Sequence, residues 1–486
     1  MEDNLPEPRI ESGIARFSGK IINSQLKQGE PSTPIKLYIP NPVTAEPGNF
    51  ETNPGNDGSF HFDVPVEYDK AIGVLSSALL NQNIFVYLTT HDEIRLEISL
   101  DEAGNARING LDNNELTSED MVHILKVFEK MVTHVSPERI PRYNMLIEDF
   151  IPFEIKSLER KLDIAKNDPI LSGSAKQFIT NEFKLIYLSN RLMDYTGIMK
   201  TDYMRYNDPE DWDKFTPVEP DISYYALLKY FNLNDPQYLY NENYSKVMQN
   251  LLSNKILNIP SIKETRIEDW LKEVKKIMAV YIGSETGIFY DVLAANAYAG
   301  QFNNEIKPLS DKQKENITKY FKNEEVTKIL FRKNEEIMKL DEERQRTISI
   351  INTTPAVRKE ALMDAIISKY NEKAVIVDFW ATWCMPCLDA MKANRTVRNE
   401  MKDKDIVFVY ITDITSPEEL WREKIKLIEG EHYYLTLDEF DFIMGNFGFT
   451  GIPCYLFYDK KGILKNKTTG YPGAEKMKKM IEELLP

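Results

Sequence analysis

Cysteine is scarce in this chain, with three in 486 residues. That is too few to staple a disulfide scaffold, and none stands in the arrangement of a metal finger. Five histidines (His61, His91, His123, His134 and His432) show no ligand-like spacing and read as structural or surface residues. Neither a metal nor a cofactor is expected. No apolar run approaches the ~20 residues needed to cross a bilayer. The start, Met1-Glu2-Asp3-Asn4-Leu5-Pro6, lacks the basic end and apolar core of a signal peptide. A cytoplasmic protein and a chain trimmed of its targeting segment both fit that start. Positive charge is in deficit, 60 Lys and Arg against 76 Asp and Glu, for a net charge of −16. A nucleic acid or an anionic membrane surface is therefore a poor main partner. Short repeats and low-complexity tracts are missing too.

What is present is an ordinary globular composition, 42% hydrophobic and 28% charged, with length for about three domains at ~150 residues each. Residues 1–112 read as an antiparallel β-sandwich. Ile35, Leu37 and Ile39 alternate with polar neighbours, as do Phe60, Phe62 and Val64, and Ile94, Leu96, Ile98 and Leu100. A period of two marks strands with one buried face. Asn56-Asp57-Gly58 supplies the turn residues a hairpin needs. Residues 113–347 read as an all-α domain. Met121, Leu125, Phe128 and Val132 fall at helical spacing after a cap region at Thr117-Ser118-Glu119. Further helices are expected over 152–167, 175–199, 225–231, 244–252, 267–301 and 311–320, and the charged stretch 333–346 is expected to end the region. The many tyrosines and phenylalanines here read as core.

Residues 348–486 turn to an α/β pattern. Strands are expected at 374–380, 406–412, 432–435, 454–458 and 463–467. Helices are expected at 356–369, 386–401, 417–428, 437–447 and 474–485. The apolar run Val375-Ile376-Val377-Asp378-Phe379-Trp380 ends in Ala381-Thr382-Trp383-Cys384-Met385-Pro386-Cys387, and helix-compatible residues follow at once. A buried strand thus delivers two cysteines to a helix start. Unpaired backbone N–H groups and the positive end of the dipole favour thiolate there, and thiolate is the reactive form. The spacing of three brings both sulfurs within bonding reach. Cys384, at the exposed tip, is the expected attacking sulfur, and Cys387 the resolving one. Pro386 suits the first helical turn.

Three further features surround the pair. Asp378 stands in an apolar strand where an ionised carboxylate is costly. Burial raises a carboxyl pKa, so Asp378 is expected to take the proton from Cys387, through water. Pro453 precedes the apolar strand Cys454-Tyr455-Leu456-Phe457 and belongs at its start. A cis bond at Ile452-Pro453 would present the Ile452 backbone to a substrate chain beside the thiols. Trp380 reads as core and Trp383 as a surface-facing docking residue. Cys454 reads as a small buried residue.

The run 377–387 resembles the active-site block of the thioredoxin superfamily, and Gly451-Ile452-Pro453 resembles its cis-proline loop. The insert between strand 406–412 and Pro453 resembles TlpA/ResA-like thiol–disulfide oxidoreductases. Their multidomain forms carry N-terminal β and helical domains. The motif match spans about 354–486. The resemblance implies a thioredoxin-like fold for 348–486 and a redox-active Cys384–Cys387 disulfide. It also implies a periplasmic or cell-envelope location, with anchoring through a segment absent from this sequence. The implied partners are a disulfide-bearing protein substrate and a membrane thiol-electron carrier as reductant. The chain departs from common thioredoxins in its Met385-Pro386 dipeptide and in lacking a lysine near the buried aspartate. Asp413 is the nearest counterpart of the active-site glutamate of ResA-like enzymes. The expected activity is protein-disulfide reduction by dithiol exchange. A disulfide isomerase and a redox-silent binding or scaffold protein are the alternatives.

Overall fold

The structure is a computed structural model and describes residues 4–22, 33–101, 105–109, 115–134, 140–322, 324–401 and 404–485. The expected boundary at 112–113 and residues 1–3 of the N-terminal reading lie outside these. The chain divides into two compact units, residues 1–303 with 307–335, and residues 304–306 with 336–486.

The first unit opens with two four-stranded sheets. One orders its strands Ser59–Tyr68, Ile10–Ile22, Glu93–Leu100, Ala106–Asn109; the other orders them Gly48–Thr52, Ile35–Ile39, Lys70–Ser76, Ile84–Thr89. Alternation places Phe60, Phe62, Val64 and Val66 on one buried face. Phe17 pairs with Phe62 in register and packs on both phenylalanines. The turn at Asn56-Asp57-Gly58 needs its glycine. Gly58 has φ +82, and a Cβ there would lie 2.2 Å from the Ile21 carbonyl oxygen. One ladder departs from the antiparallel expectation: Ile10–Ile22 and Glu93–Leu100 run parallel. Period-two patterning specifies a strand and its buried face, and is silent about the direction of its neighbour.

Helices make up the rest of this unit. Ser118–Thr133 starts at a capping box in which Thr117 and Asp120 satisfy each other's backbone N–H. Its buried stripe is Met121, Ile124, Val127 and Met131, whereas Leu125 and Phe128 are half-buried and Val132 is exposed. Two runs read as continuous are broken. The run 175–199 passes from Gly173–Tyr187 through a π-helical turn at Leu188–Leu192 to Tyr195–Tyr206. The run 267–301 stops at the left-handed Gly283 and restarts as Ile288–Gly300. Apolar spacing continues across such breaks, so periodicity alone does not reveal them. Residues 225–231 form 3-10 rather than α structure, within Ile222–Phe231. The charged stretch belongs to the helix Glu324–Arg346, within which the chain passes from one unit to the other.

The second unit is built on a six-stranded sheet ordered Leu464–Thr469, Cys454–Tyr458, Ala374–Phe379, Ile406–Asp413, Gly430–Leu435, Ser349–Ile351. Ala374–Phe379 runs parallel to Ile406–Asp413 and antiparallel to Cys454–Tyr458. All six of its residues are buried, as expected of a strand covered on both faces. Val375, Val377 and Phe379 pack against helices Leu362–Ser368 and Leu437–Phe447. The alternate face, with Ile376, meets Val397, Met401, Met477 and Ile481. Leu437–Phe447 is bounded by a Thr436–Glu439 capping box and by Gly448 at φ +70.

Candidate active site

The central strand ends at Phe379, and the chain reaches the helix Met385–Ala393 in five residues. Two tethers shape that turn. The Thr382 N–H donates to Ser416 Oγ at 3.0 Å, and the Trp383 indole N–H donates to Thr415 Oγ1 at 3.0 Å. Ser416 is held in turn by Thr412 Oγ1 at 2.8 Å and by the Tyr434 hydroxyl, which donates to the Ser416 carbonyl at 2.6 Å. The loop after the neighbouring strand therefore fixes the loop that carries the thiols.

Cys384 occupies the N-cap. Its Sγ accepts from the Cys387 N–H at 3.2 Å, in the place where serine or aspartate usually offers oxygen. The two cysteines are joined as a disulfide, S–S 2.02 Å, with their Cα atoms 5.3 Å apart. A donor already aimed at Sγ, together with the helix dipole, stabilises negative charge on Cys384 once the bond opens. One expectation needs correcting: Cys384 is not an exposed tip. It is 4% exposed and Cys387 1%, whereas the flanking Trp383 and Met385 are each 61% exposed. Sγ turns inward to bond Cys387, into a cluster with Trp380, Met391, Tyr410 and Trp421.

Asp378 is buried, with Oδ1 unpartnered. Burial drives its carboxyl well above the usual range, opposed by the charge of Arg398. In sheet register it stands between Tyr410 and Tyr455. Arg398 donates to the Tyr410 hydroxyl at 2.8 Å. Tyr410 also stacks on His432, ring centroids 5.1 Å apart. Burial pushes His432 down to about 4, so the ring is neutral at pH 7. Its Nε2 lies 2.8 Å from the Ile428 carbonyl oxygen, and only a protonated nitrogen can bond there.

The remaining expected site residues fall in two places. Ile452 packs against the cysteine cluster, and the Ile452–Pro453 bond is cis. Cys454 points to the opposite core, its Sγ 3.6 Å from Met444 Sδ, and burial and the Asp378 charge push its thiol up. Asp413 ends its strand buried, accepting from the Thr415 N–H at 2.7 Å. Trp380 is fully buried. Arg398 was not picked out from sequence, although Cys387, Met391, Asn394 and Arg398 recur at 4, 3 and 4 residues, one face of a helix. The structure interrupts that helix at Asn394 and resumes it as Arg395–Met401. Thr415 and Ser416 carried no signal, being loop residues whose partners lie more than 30 positions away. Among the described residues, one set of three brings metal-ligand atoms together: Glu11, Asp69 and His91. Asp69 already accepts from Arg9 and pairs with Lys70, so its charge is answered without an ion.

A buried central strand carrying a buried carboxyl, followed by a cysteine pair that caps the next helix, is the pattern of a thioredoxin-like domain, and a family model agrees. The family model described as a thioredoxin-like domain matches residues 363–485. The thiol-disulfide oxidoreductase ResA of Geobacillus thermodenitrificans is 28% identical over 123 residues, 25% of this chain and 68% of the relative. The thioredoxin-like protein YneN of Bacillus subtilis is 28% identical, over 26% of this chain and 69% of its own. An uncharacterized Haemophilus influenzae protein is 31% identical over 24% of this chain and 77% of its length. Among solved structures, the thioredoxin domain of a Bacteroides vulgatus thiol-disulfide oxidoreductase matches 24% of this chain and 84% of its own, at 17% identity and a TM-score of 0.22. Residues 363–485 thus form a thioredoxin-like domain, and this part of the chain is similar to ResA-type thiol-disulfide oxidoreductases.

Proposed function

We propose that this protein reduces disulfides of other proteins by dithiol exchange through Cys384 and Cys387. The observation that carries the reading is the N-cap position of Cys384, with a backbone N–H aimed at its sulfur and its partner cysteine bonded to it. In the reduced protein, the Cys384 thiolate attacks one sulfur of a substrate disulfide. A Cys384–substrate bond forms, and the other substrate sulfur leaves as thiolate and takes a proton. Asp378 draws the proton from Cys387 through water. The Cys387 thiolate then attacks Cys384 and releases the second substrate thiol. Two electrons pass to the substrate, and the disulfide seen here is the oxidised product. Substrate approaches over Trp383, Ile452 and Pro453, with the exposed Trp383 and Met385 flanking the buried sulfur. A membrane thiol-electron carrier restores the dithiol.

The family resemblance supports work in the periplasm or cell envelope. Among the described residues, no helix is long and apolar enough to cross a membrane. We assign 1–112 as a β-sandwich domain, 113–347 as a helical domain and 348–486 as the catalytic domain. Insulin reduction tests the function. Wild type should precipitate the insulin B chain with dithiothreitol as reductant, and Cys384→Ser should fall to the uncatalysed rate. No catalysis by wild type would favour the scaffold reading.

A further inference from the structure

The half-buried Leu125 and Phe128 face a cavity of about 240 Å³ inside the first unit. At ~30 Å³ per water, it has room for about eight water-sized groups. Its walls come from the strands Ile35–Ile39, Lys70–Ser76 and Ile84–Thr89 and from the helices Ser118–Thr133 and Gly173–Tyr187. Aliphatic and aromatic side chains share the lining: Phe85 meets Phe178 edge to face, with centroids 5.8 Å apart, and Tyr38, Phe128 and Tyr240 are its other rings.

Two carboxyl groups also line this apolar space, Glu182 and Glu242. Asn243 Nδ2 donates to Glu182 Oε1 at 2.5 Å, but Glu182 Oε2 is buried without a partner. The Tyr38 hydroxyl is buried beside both carboxyls and donates to Glu242, and its oxygen keeps lone pairs that can accept from a further donor. Burial, with the Glu242 charge added, pushes Glu182 up to about 7. The ionisable groups facing this carboxyl are Glu242 and Tyr38, with Tyr68 beyond the phenol. Among the described residues no lysine or arginine lines the cavity. The site therefore gathers negative charge and acceptor atoms with nothing of opposite sign, at a cost normally removed by pairing. Aromatic faces around it attract cations in the same sense.

We propose that this cavity binds a small organic cation: a primary ammonium on an apolar body, with its charge against Glu182 Oε2 and the Tyr38 hydroxyl and its body among Phe85, Phe128 and Phe178. A free carboxylate ligand would be repelled. A neutral apolar guest would leave Glu182 Oε2 unpaired.

Isothermal titration of the full chain at pH 8 tests this, with n-hexylammonium as probe and 1-hexanol and hexanoate as controls. Hexylammonium should bind at least tenfold more tightly than hexanol, and hexanoate should not bind. Lowering the pH from 8 to 6 should weaken hexylammonium binding about tenfold. The ionised fraction of a group titrating at about 7 falls from roughly nine-tenths to one-tenth over that range. The isosteric Glu182→Gln should lose most of the binding while hexanol is unaffected. Equal binding of hexylammonium and hexanol would reduce the site to an apolar void and overturn the proposal. So would the absence of any hexylammonium heat, or unchanged affinity in a folded Glu182→Gln protein. The comparison of probes on wild type does not depend on whether the variant folds.

Discussion

Replacing Asp378 by asparagine should change how stability depends on pH. Asp378 lies in a strand buried on both faces, with one carboxyl oxygen unpartnered and its pKa raised by burial against the weaker opposing charge of Arg398. In the unfolded chain an aspartate titrates near ~3.9. Between that pH and the raised folded value, the native state holds a proton that the unfolded state has released. The slope of unfolding free energy with pH is set by protons bound unfolded minus protons bound folded, here −1. Stability from this group is thus fully present below about pH 4 and is lost at ~1.4 kcal/mol per pH unit as pH rises towards the folded pKa. Other raised carboxyls, Glu67 and Glu182, titrate identically in both proteins and cancel in the difference. Asparagine keeps the shape and binds no proton, so its own cost or benefit is the same at every pH. Urea unfolding of oxidised wild type and Asp378→Asn at pH 5, 6, 7 and 8 should show wild type losing ~1.4 kcal/mol per pH unit relative to the variant within the window. Parallel curves would show that Asp378 titrates in the native protein as it does in the unfolded chain, which would leave it too weak a base to draw the proton from Cys387.

Cys387→Ala should stall turnover at the mixed disulfide, visible as a thiol-sensitive adduct with a protein substrate on a non-reducing gel; release without accumulation would place the resolving step elsewhere. Arg398→Leu removes the cation that restrains Asp378. The decline of stability should then continue to higher pH, and the pH profile of insulin reduction should shift alkaline; a superimposable profile would deny Arg398 any part in positioning that proton. Phe379→Ala deletes a fully buried ring that packs on Phe440 and Phe449. It should cost about 3–5 kcal/mol, read from the urea transition of the C-terminal unit, and a loss below 1 kcal/mol would contradict close packing there.

Strand type, buried faces and the reactive pair were legible because each is a local property. Val375 to Phe379, apolar on both sides of Asp378, reads as a doubly covered strand, and a Cys-x-x-Cys at the next helix start needs no distant partner to be recognised. Helix continuity was less legible, since the breaks at Gly283 and Asn394 preserve apolar spacing, and so was the parallel neighbour of Ile10–Ile22. Chain order alone determined that two cysteines share one helical turn behind a buried carboxyl. Tertiary packing decided that Cys384 is covered rather than exposed, and that Thr415 and Ser416 hold its loop. It also brought Arg398 to Tyr410, and Glu182 and Glu242 together around an aromatic cavity. Burial and charge proximity depend on residues far apart in sequence, so they exist only once the sheets and helices have closed around them.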